Sequence, residues 1–533
     1  MRNHFFAGAA LAALLISAGF LLLPPIYYPL HATVSLVLLV IVIVGLCDAF
    51  QRKHTIRRNF PVLGHMRYLL EEIRPEINQY FIESNTNGAP FNRLQRSLIY
   101  QRAKDDVSTL PFGTQLNVYE AGYEWVSHSI QPVHVNPTSL RVQIGGHHCR
   151  QPYQASVLNI SAMSYGALSK NAVLALNGGA KDGHFAHNTG EGGISPYHLE
   201  PGGDLIWQIG TGYFGCRTES GQFSAELFAQ KATRPQVRMI EIKLSQGAKP
   251  GHGGILPARK VTPEISQIRN VPLGQDVLSP PGHSAFSTPL ELMHFIQQLR
   301  ELSGGKPVGF KLCVGQHHEF IAICKAMLST GITPDFITVD GAEGGTGAAP
   351  PEFSNAVGEP GTEALIFVHN CLTGFGLREQ MRIIYSGKVS SGFDLVSRIA
   401  MGADLVNSAR AMMIALGCIQ ALRCNTNDCP TGVATQEPHL VAGLHVGDKR
   451  TRVQRYHART LESAAELMGA MGVSRSEDLH PWQLNRRISP ERVRRYDQIY
   501  TYLQKGDLLR DAVPEEYRQA LKLAQAESFS PCV

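Results

Sequence analysis

Charge is in short supply in this sequence. Asp, Glu, Lys and Arg make up 17% of its 533 residues, and the formal net charge is +5. A bias that slight argues against a nucleic-acid surface. The visible basic cluster, Arg52, Lys53, Arg57 and Arg58, flanks an apolar run instead of forming a broad patch. Paired cysteines are also missing: of ten, most stand singly in apolar or strand-like contexts, as Cys313, Cys324 and Cys371 do. That pattern does not fit the disulfide framework of a secreted protein and points to a reducing compartment. No early Gly-x-Gly-x-x-Gly opens a strand–turn–helix series, and no NAD(P)H fingerprint follows a strand. A dinucleotide-binding open sheet is thereby disfavoured.

Long apolar runs are present, and both lie at the start. Phe5 to Leu23 is long enough to cross the hydrocarbon core of a bilayer. Pro24-Pro25-Ile26-Tyr27-Tyr28-Pro29 then breaks the helix and supplies interfacial tyrosines, and Ala32 to Cys47 makes a second, shorter run. With Arg2 before it and the basic cluster after it, the positive-inside rule predicts a transmembrane hairpin over residues 1–50 with both ends cytoplasmic. The rest of the chain is then held at the cytoplasmic face of the inner membrane's lipid bilayer. A cleaved signal peptide is the competing reading; the first run is too long for an h-region, and no small-x-small site precedes the second run.

Residues 51–150 read as a mixed juxtamembrane region that packs on the main fold. Met66 to Phe81 has the spacing of an amphipathic helix (Leu69, Leu70, Ile73, Ile77, Phe81), which Pro75 should kink or split. Leu94 to Ala103 is a second helical candidate, and Gly113 to Ile144 carries shorter, strand-like runs.

From Ala155 a strand-then-helix rhythm begins. The candidate strands are Val157–Ser161, His184–Asn188, Ile206–Thr211, Met239–Leu244, Val308–Cys313, Phe336–Asp340, Arg382–Ser386 and Leu405–Ser408. Most are short apolar runs without alternation, as parallel strands buried on both faces should be. Helical stretches, among them Pro289–Leu302, Glu319–Ser329 and Thr362–Leu372, separate several of them. Eight such units over residues 151–440 predict an α/β fold of the (β/α)8 TIM-barrel type, followed by a helical C-terminal extension over 441–533.

Polar and glycine residues follow many of the strands. The richest stretch is Asp340 to Pro350, Asp-Gly-Ala-Glu-Gly-Gly-Thr-Gly-Ala-Ala-Pro, which follows the apolar run Phe336–Val339. Its glycines leave backbone N–H groups uncovered beside a flat or anionic ligand. As a lone loop it is equally a surface turn; its place after a buried-type strand makes it the lining of a cofactor site. Cys418-x5-Cys424-x4-Cys429-Pro430 is a second local signal. Thiolates so closely grouped serve a metal or a cluster more often than a core, and a zinc site would want a fourth ligand, which no nearby cysteine supplies.

Ser161–Gly166, Asn188–Gly193, Glu241–Gly254, Gly341–Pro350 and Cys418–Gln436 together resemble, in the same order, the FMN-binding synthase domain of glutamate synthase. The similarity runs from about residue 100 to 475, and the apolar hairpin resembles a short, membrane-anchored branch of that family. The resemblance implies a (β/α)8 barrel that binds FMN and a 3Fe-4S cluster and reduces 2-iminoglutarate, formed from 2-oxoglutarate and ammonia, to L-glutamate. It places Ala162, Met163 and Ser164 against the isoalloxazine, and Gln208 and Lys311 at its polar edge. Gly344, Gly345 and Gly347 allow close backbone approach, and Gly387, Lys388, Ser408, Ala409 and Arg410 hold the phosphate. Cys418, Cys424 and Cys429 ligate the cluster, which passes electrons to FMN. For the dicarboxylate the candidates are Lys243, Gln246 and Lys249, with Glu191 as general acid/base or as the group that orients the imine.

Three departures from the full-length family bear on function. No glutaminase domain precedes the barrel, so ammonia is expected free or from a separate glutaminase subunit. The electron donor is expected to be a ferredoxin, a reductase subunit or a membrane carrier. Where the family has arginine before Phe-Gly, this chain has Tyr213 before Phe214-Gly215, with Arg217 nearby. Two alternatives therefore stand beside glutamate synthesis: a related amine and 2-oxo acid oxidoreductase such as an N-alkylglutamate synthase, and a membrane subunit that relays electrons without turnover.

Overall fold

The computed structural model describes residues 1–532, which divide into two compact units, one of Met1–Ala89 and the other beginning at Pro90. The division falls inside the region that sequence spacing treats as one juxtamembrane piece. In the first unit, helices α1 (Arg2–Leu22) and α2 (Tyr28–Phe50) form an antiparallel hairpin joined by a 3-10 turn at Pro25–Tyr27. Both helices are long and apolar enough to cross a membrane. Short helices follow at Thr55–Asn59, Gly64–Glu72 and Arg74–Ile77, with a π-type turn at Asn78–Ile82. The predicted break is at Ile73, where Pro75 takes the first turn of the next helix and its missing N–H costs no bond.

The second unit opens with α3 (Arg93–Lys104), whose start is fixed by a reciprocal capping box between Asn92 and Gln95. After an antiparallel pair, Arg141–Ile144 with Tyr153–Ser156, eight parallel strands close into a barrel. They are β1 (Leu158–Ile160), β2 (His187–Asn188), β3 (Leu205–Ile209), β4 (Val237–Lys243), β5 (Val308–Leu312), β6 (Phe336–Asp340), β7 (Arg382–Ser386) and β8 (Leu405–Ser408). Each expected strand is present, and the ring closes through Ser408 beside Ile160. Most strand residues are fully buried, inside against barrel side chains and outside against helices such as α4 (Lys170–Asp182) and α5 (Pro289–Leu302). The expected second strand begins three residues late, because His184 takes a left-handed conformation (φ 54°) that ends α4 instead of extending the sheet.

Two features are absent from the sequence-based expectation. Between β4 and α5 the chain makes a long excursion, Leu244 to Thr288, with a two-residue ladder (Ile255–Leu256 with Val277–Leu278) and a short helix, Pro263–Arg269. The C-terminal region is largely helical, led by α6 (Val446–Ala470), which packs on α4 and buries Val453, Tyr456, Leu461 and Met468. Each such side chain contributes roughly 1.5–3 kcal/mol. Beyond α6, however, a hairpin of Leu484–Ser489 and Arg492–Arg495 pairs with Glu124–Val126 as a three-stranded sheet.

Candidate active site

The carboxyl ends of the barrel strands build three neighbouring cavities. The first lies over β5 to β8 and is lined by Ser161, Ala162, Gln246, Lys311, the glycine loop at Gly344–Thr346, and the ends of β7 and β8. Of the residues expected to hold a cofactor, Ala162, Lys311, Gly344, Gly345, Gly387, Lys388, Ser408, Ala409 and Arg410 all face it. Lys388 and Arg410 make no ion pair among the described residues, and burial together with their mutual repulsion lowers the Lys388 ammonium's pKa. The Arg410 guanidinium donates only to the Glu343 backbone carbonyl, at 2.7 Å. Glu343 tempers both charges and Asp340 that of Arg410, but with no direct ion pair the two cations on one partly buried wall suit an anionic group.

Lys311 is different, because its partner is built in. Its ammonium lies 3.1 Å from Asp340, and although burial opposes the charge, Asp340 and Glu241 outweigh it and raise the pKa. The other Asp340 bond comes from Gly247 N–H, at 2.9 Å, and docks the loop after β4 onto the loop after β6. A Cβ at Gly247 would stand 1.8 Å from the Gly341 carbonyl, so only glycine permits that approach. Glu343 fixes the rest of the glycine loop by accepting from the Tyr385 hydroxyl at 2.7 Å and from Gly361 N–H at 2.9 Å.

The second cavity is smaller and lies over β2 to β4. Glu191 and Lys243 pair across it at 2.8 Å, and Gln246 lines both this cavity and the first. Burial alone would raise the Glu191 carboxyl, but Lys243, Arg269 and Lys249 reverse that and hold it below the usual range. Lys249 is buried with its ammonium 3.4 Å from the Ala348 carbonyl, and burial with the nearby Lys243 charge lowers its pKa to about 8. Arg269 escapes sequence reading, since it sits in a seven-residue helix of the excursion with no motif around it. Its guanidinium donates to the Tyr165 carbonyl (3.0 Å) and to Ser164 Oγ (3.4 Å), its Nε has no partner, and burial lowers its pKa to about 10. Three cations thus surround one buried carboxylate, leaving a surplus of positive charge; Lys243 lines the cavity itself, and Lys249 and Arg269 lie beside it.

Other expected residues stand beside these cavities rather than in them. Met163 is buried in the core and Ser164 takes the Arg269 bond. Gln208 points its amide at Glu241 (2.6 Å), which also accepts from Asn188 (2.7 Å) and Thr338 (2.7 Å), so it belongs to a buried network inside the barrel. Tyr213, buried and strained at φ 46°, is committed to the excursion. Its hydroxyl lies 3.0 Å from His283 Nδ1 and accepts from Ala285 N–H, while His283 Nε2 lies 2.9 Å from the Lys243 carbonyl. Only an Nε2–H tautomer satisfies both histidine contacts, and burial, which lowers the ring's pKa to about 4, keeps it neutral. Arg217 packs over the Phe214 ring.

The third cavity is apolar and is lined by Cys418, Cys424 and Cys429 together with Met413, Ile414 and Leu422. Gln420, Leu422 and Asn427 all adopt left-handed conformations, so the loop is wound tightly around it. Among the described residues no three His, Cys, Asp or Glu side chains converge closely enough for a single metal ion. Phe91 and Arg410 line both this cavity and the first, and a Cβ on Gly347 would lie 3.0 Å from that of Cys424. Gly347 therefore faces Cys424 rather than the first cavity.

A closed parallel barrel with a basic cavity, a second pocket around Glu191 and Lys243 and a three-thiol cavity defines the class of protein. Residues 124–474 match the family described as the conserved region in glutamate synthase. The chain belongs to the glutamate synthase family, and it is an oxidoreductase of that type. It is 39% identical to the glutamate synthase large subunit-like protein YerD of Bacillus subtilis, over 80% of this chain and 89% of that one. It is 38% identical to the archaeal glutamate synthase [NADPH] of Methanocaldococcus jannaschii and 35% to the archaeal-type enzyme of Thermotoga neapolitana. Each of these two matches covers 60% of this chain and 60% of the relative.

Proposed function

We propose that this chain is a membrane-anchored flavin and iron–sulfur oxidoreductase that forms L-glutamate from 2-oxoglutarate and ammonia through 2-iminoglutarate. The observation that carries the reading is the adjacency of two unlike cavities joined by Gln246. One has two cations without a direct ion pair, Lys388 and Arg410, together with the buried Lys311; the other has Lys243, Lys249 and Arg269 around Glu191.

FMN fits the first cavity. Its phosphate would meet Lys388 and Arg410, and Asn407 Oδ1, a buried acceptor without a partner at the end of β8, suits a ribityl hydroxyl or a ring N–H. Bound there, FMN supplies hydride. Lys311, held charged by Asp340, favours negative charge on the reduced ring. In the second cavity Lys243, Lys249 and Arg269 bind the two carboxylates of the oxo acid. Glu191, ionised by its neighbours, accepts a hydrogen bond from the imine nitrogen and orients its carbon toward the first cavity. A carboxylate held below its ordinary range is a weak proton donor at neutral pH, which favours orientation over general acid catalysis for Glu191.

The apolar third cavity and its thiols fit a 3Fe-4S cluster, in which each thiolate binds a different iron and no three need converge on one atom. Electrons would enter here from a one-electron donor, a ferredoxin or a reductase subunit. The hairpin anchors the protein in the inner membrane, catalytic portion facing the cytoplasm, and ammonia arrives free or from a separate glutaminase subunit. A second reading keeps the cofactors and changes the amine: Tyr213 stands where the family has arginine, and its hydroxyl is already committed to His283 and Ala285.

The test is direct. Detergent-solubilised protein carrying flavin and iron is reduced anaerobically, then mixed with 2-oxoglutarate and ammonia while flavin absorbance and glutamate are followed. Coupled reoxidation and glutamate formation support the reading, whereas a flavin that stays reduced until an alkylamine replaces ammonia favours the second. A pH profile adds a residue-level check. With its pKa lowered to about 8, Lys249 loses its charge above that pH, so kcat/KM for the oxo acid is expected to fall toward tenfold per pH unit, or roughly so, on the alkaline side. The Lys249→Arg variant should flatten that limb; an unchanged profile would remove Lys249 from substrate binding.

A further inference from the structure

We infer that Gly64–Ile82 is an interfacial membrane segment, its apolar face seated among the lipid acyl chains at the same bilayer surface where α2 emerges. The inference rests on the proposed transmembrane hairpin and extends it to a part of the chain with no assigned partner. Along Gly64–Glu72, Arg74–Ile77 and Asn78–Ile82, the side chains of Met66, Leu69, Leu70, Ile73, Tyr80 and Phe81 recur at helical spacing on one stripe. All are exposed, Met66 by 62%, Leu69 by 56% and Phe81 by 84%. A contiguous apolar stripe of that length does not face water in a stable protein without a partner.

Three observations identify lipid as that partner. The first is depth. Asp48, in the last turn of α2, accepts from Val62 N–H at 3.0 Å and from His65 at 2.8 Å. The amphipathic segment therefore begins within hydrogen-bond reach of the residue at which the spanning helix leaves the hydrocarbon. The second is rigidity. Gln51 Nε2 donates to the Asp48 and His54 carbonyls and its Oε1 accepts from His54 N–H, closing a corner after α2. Gly64 lies against Arg57, where a Cβ would meet Arg57 Cα at 2.8 Å. The corner and the close packing fix where the segment starts. The third is charge. Arg52, Lys53, Arg57 and Arg58 cluster just before the segment, which itself carries Arg67 and Arg74 against Glu71, Glu72 and Glu76. The basic cluster at its start complements an anionic headgroup layer, into which amphipathic helices sink by about 5–10 Å.

The full-length protein is reconstituted into vesicles of phosphatidylethanolamine and phosphatidylglycerol whose acyl chains carry bromine, a contact quencher of tryptophan. Single variants Leu69→Trp, Glu71→Trp and Ile41→Trp report from the apolar stripe, the opposite face and the middle of α2. Wild-type protein gives the background of the three native tryptophans, Trp125, Trp207 and Trp482. Quenching is expected to be roughly threefold stronger at position 69 than at 71, as an interfacial depth requires. Strong quenching at 41 with none at 69 overturns the interfacial segment and leaves the hairpin standing. Equal quenching at 69 and 71 also overturns it, since a one-faced segment cannot bury both. No quenching at 41 overturns the hairpin and this inference with it.

Discussion

Replacing Lys311 with methionine is expected to slow reduction of the bound flavin by about two to three orders of magnitude, the usual loss when a preorganised charge-stabilising group is removed. The cation is buried under the first cavity, and Asp340 with Glu241 keeps it charged there. Methionine preserves the length of the side chain and removes only the charge. It also strands the Asp340 carboxylate, and an unpaired buried charge costs about 3–5 kcal/mol. The single variant therefore loses stability for a reason unrelated to redox chemistry. The pair Lys311→Met with Asp340→Asn separates the two effects, because asparagine is neutral and its carbonyl still accepts from Gly247 N–H. Thermal unfolding of the double variant should recover much of the single variant's loss, while stopped-flow reduction stays slow. Wild-type reduction rates in the double variant would remove Lys311 from the flavin site.

Changing Cys424 to serine is expected to lower bound iron at least about tenfold while the flavin spectrum survives, since losing a ligand outweighs the 10–100-fold cost of losing an outer-shell partner. The prediction is specific because the backbone of Cys424 has its own support. Lys260 donates to the Cys424 carbonyl at 2.8 Å and to the Ala434 carbonyl at 3.1 Å, so the loop keeps its course when sulfur becomes oxygen. Phe91 and Arg410, which separate the thiol cavity from the first one, are untouched. Iron analysis and low-temperature paramagnetic resonance measure the first half, and flavin absorbance the second. Full iron retention would falsify the cluster assignment. Loss of both cofactors would mean that the thiol loop also shapes the flavin wall.

The barrel was legible in the sequence because its strands are buried on both faces and so appear as short apolar runs, as at Phe336–Val339 and Ile383–Tyr385. One wall of the first cavity was legible for a related reason: Gly387-Lys388 and Ser408-Ala409-Arg410 lie at the ends of strands, where the barrel gathers its ligand groups. What escaped depends on distant partners. Arg269 acts on Glu191 from an excursion whose short helix has no periodicity to betray it. Arg486 and Arg487 lie in the tail expected to be helical. Their strand instead pairs with Glu124–Val126, about 360 residues earlier in the chain, and Arg487 lies over the rings of Tyr119 and Trp125. Gln208 lies in the strand where it was expected, but the buried carboxylate of Glu241 claims its amide. Spacing reports which strand a residue occupies, not which neighbour it will choose.

The excursion between β4 and α5 has a consequence for anyone redesigning the protein's substrate preference. It is pinned at four places: Lys260 to the carbonyls of Cys424 and Ala434, Glu264 to the hydroxyls of Tyr165 and Tyr197, Arg269 to the Tyr165 carbonyl, and His283 between Tyr213 and Lys243. Such a strap is not an interchangeable part. Transplanting it from a relative to import a different pocket also imports the lysine that steadies the thiol loop, so the pocket and the thiol loop are inherited together. Changes confined to Tyr213 and the residues around His283 offer the narrower route, since they alter one clasp and leave the other three fastened.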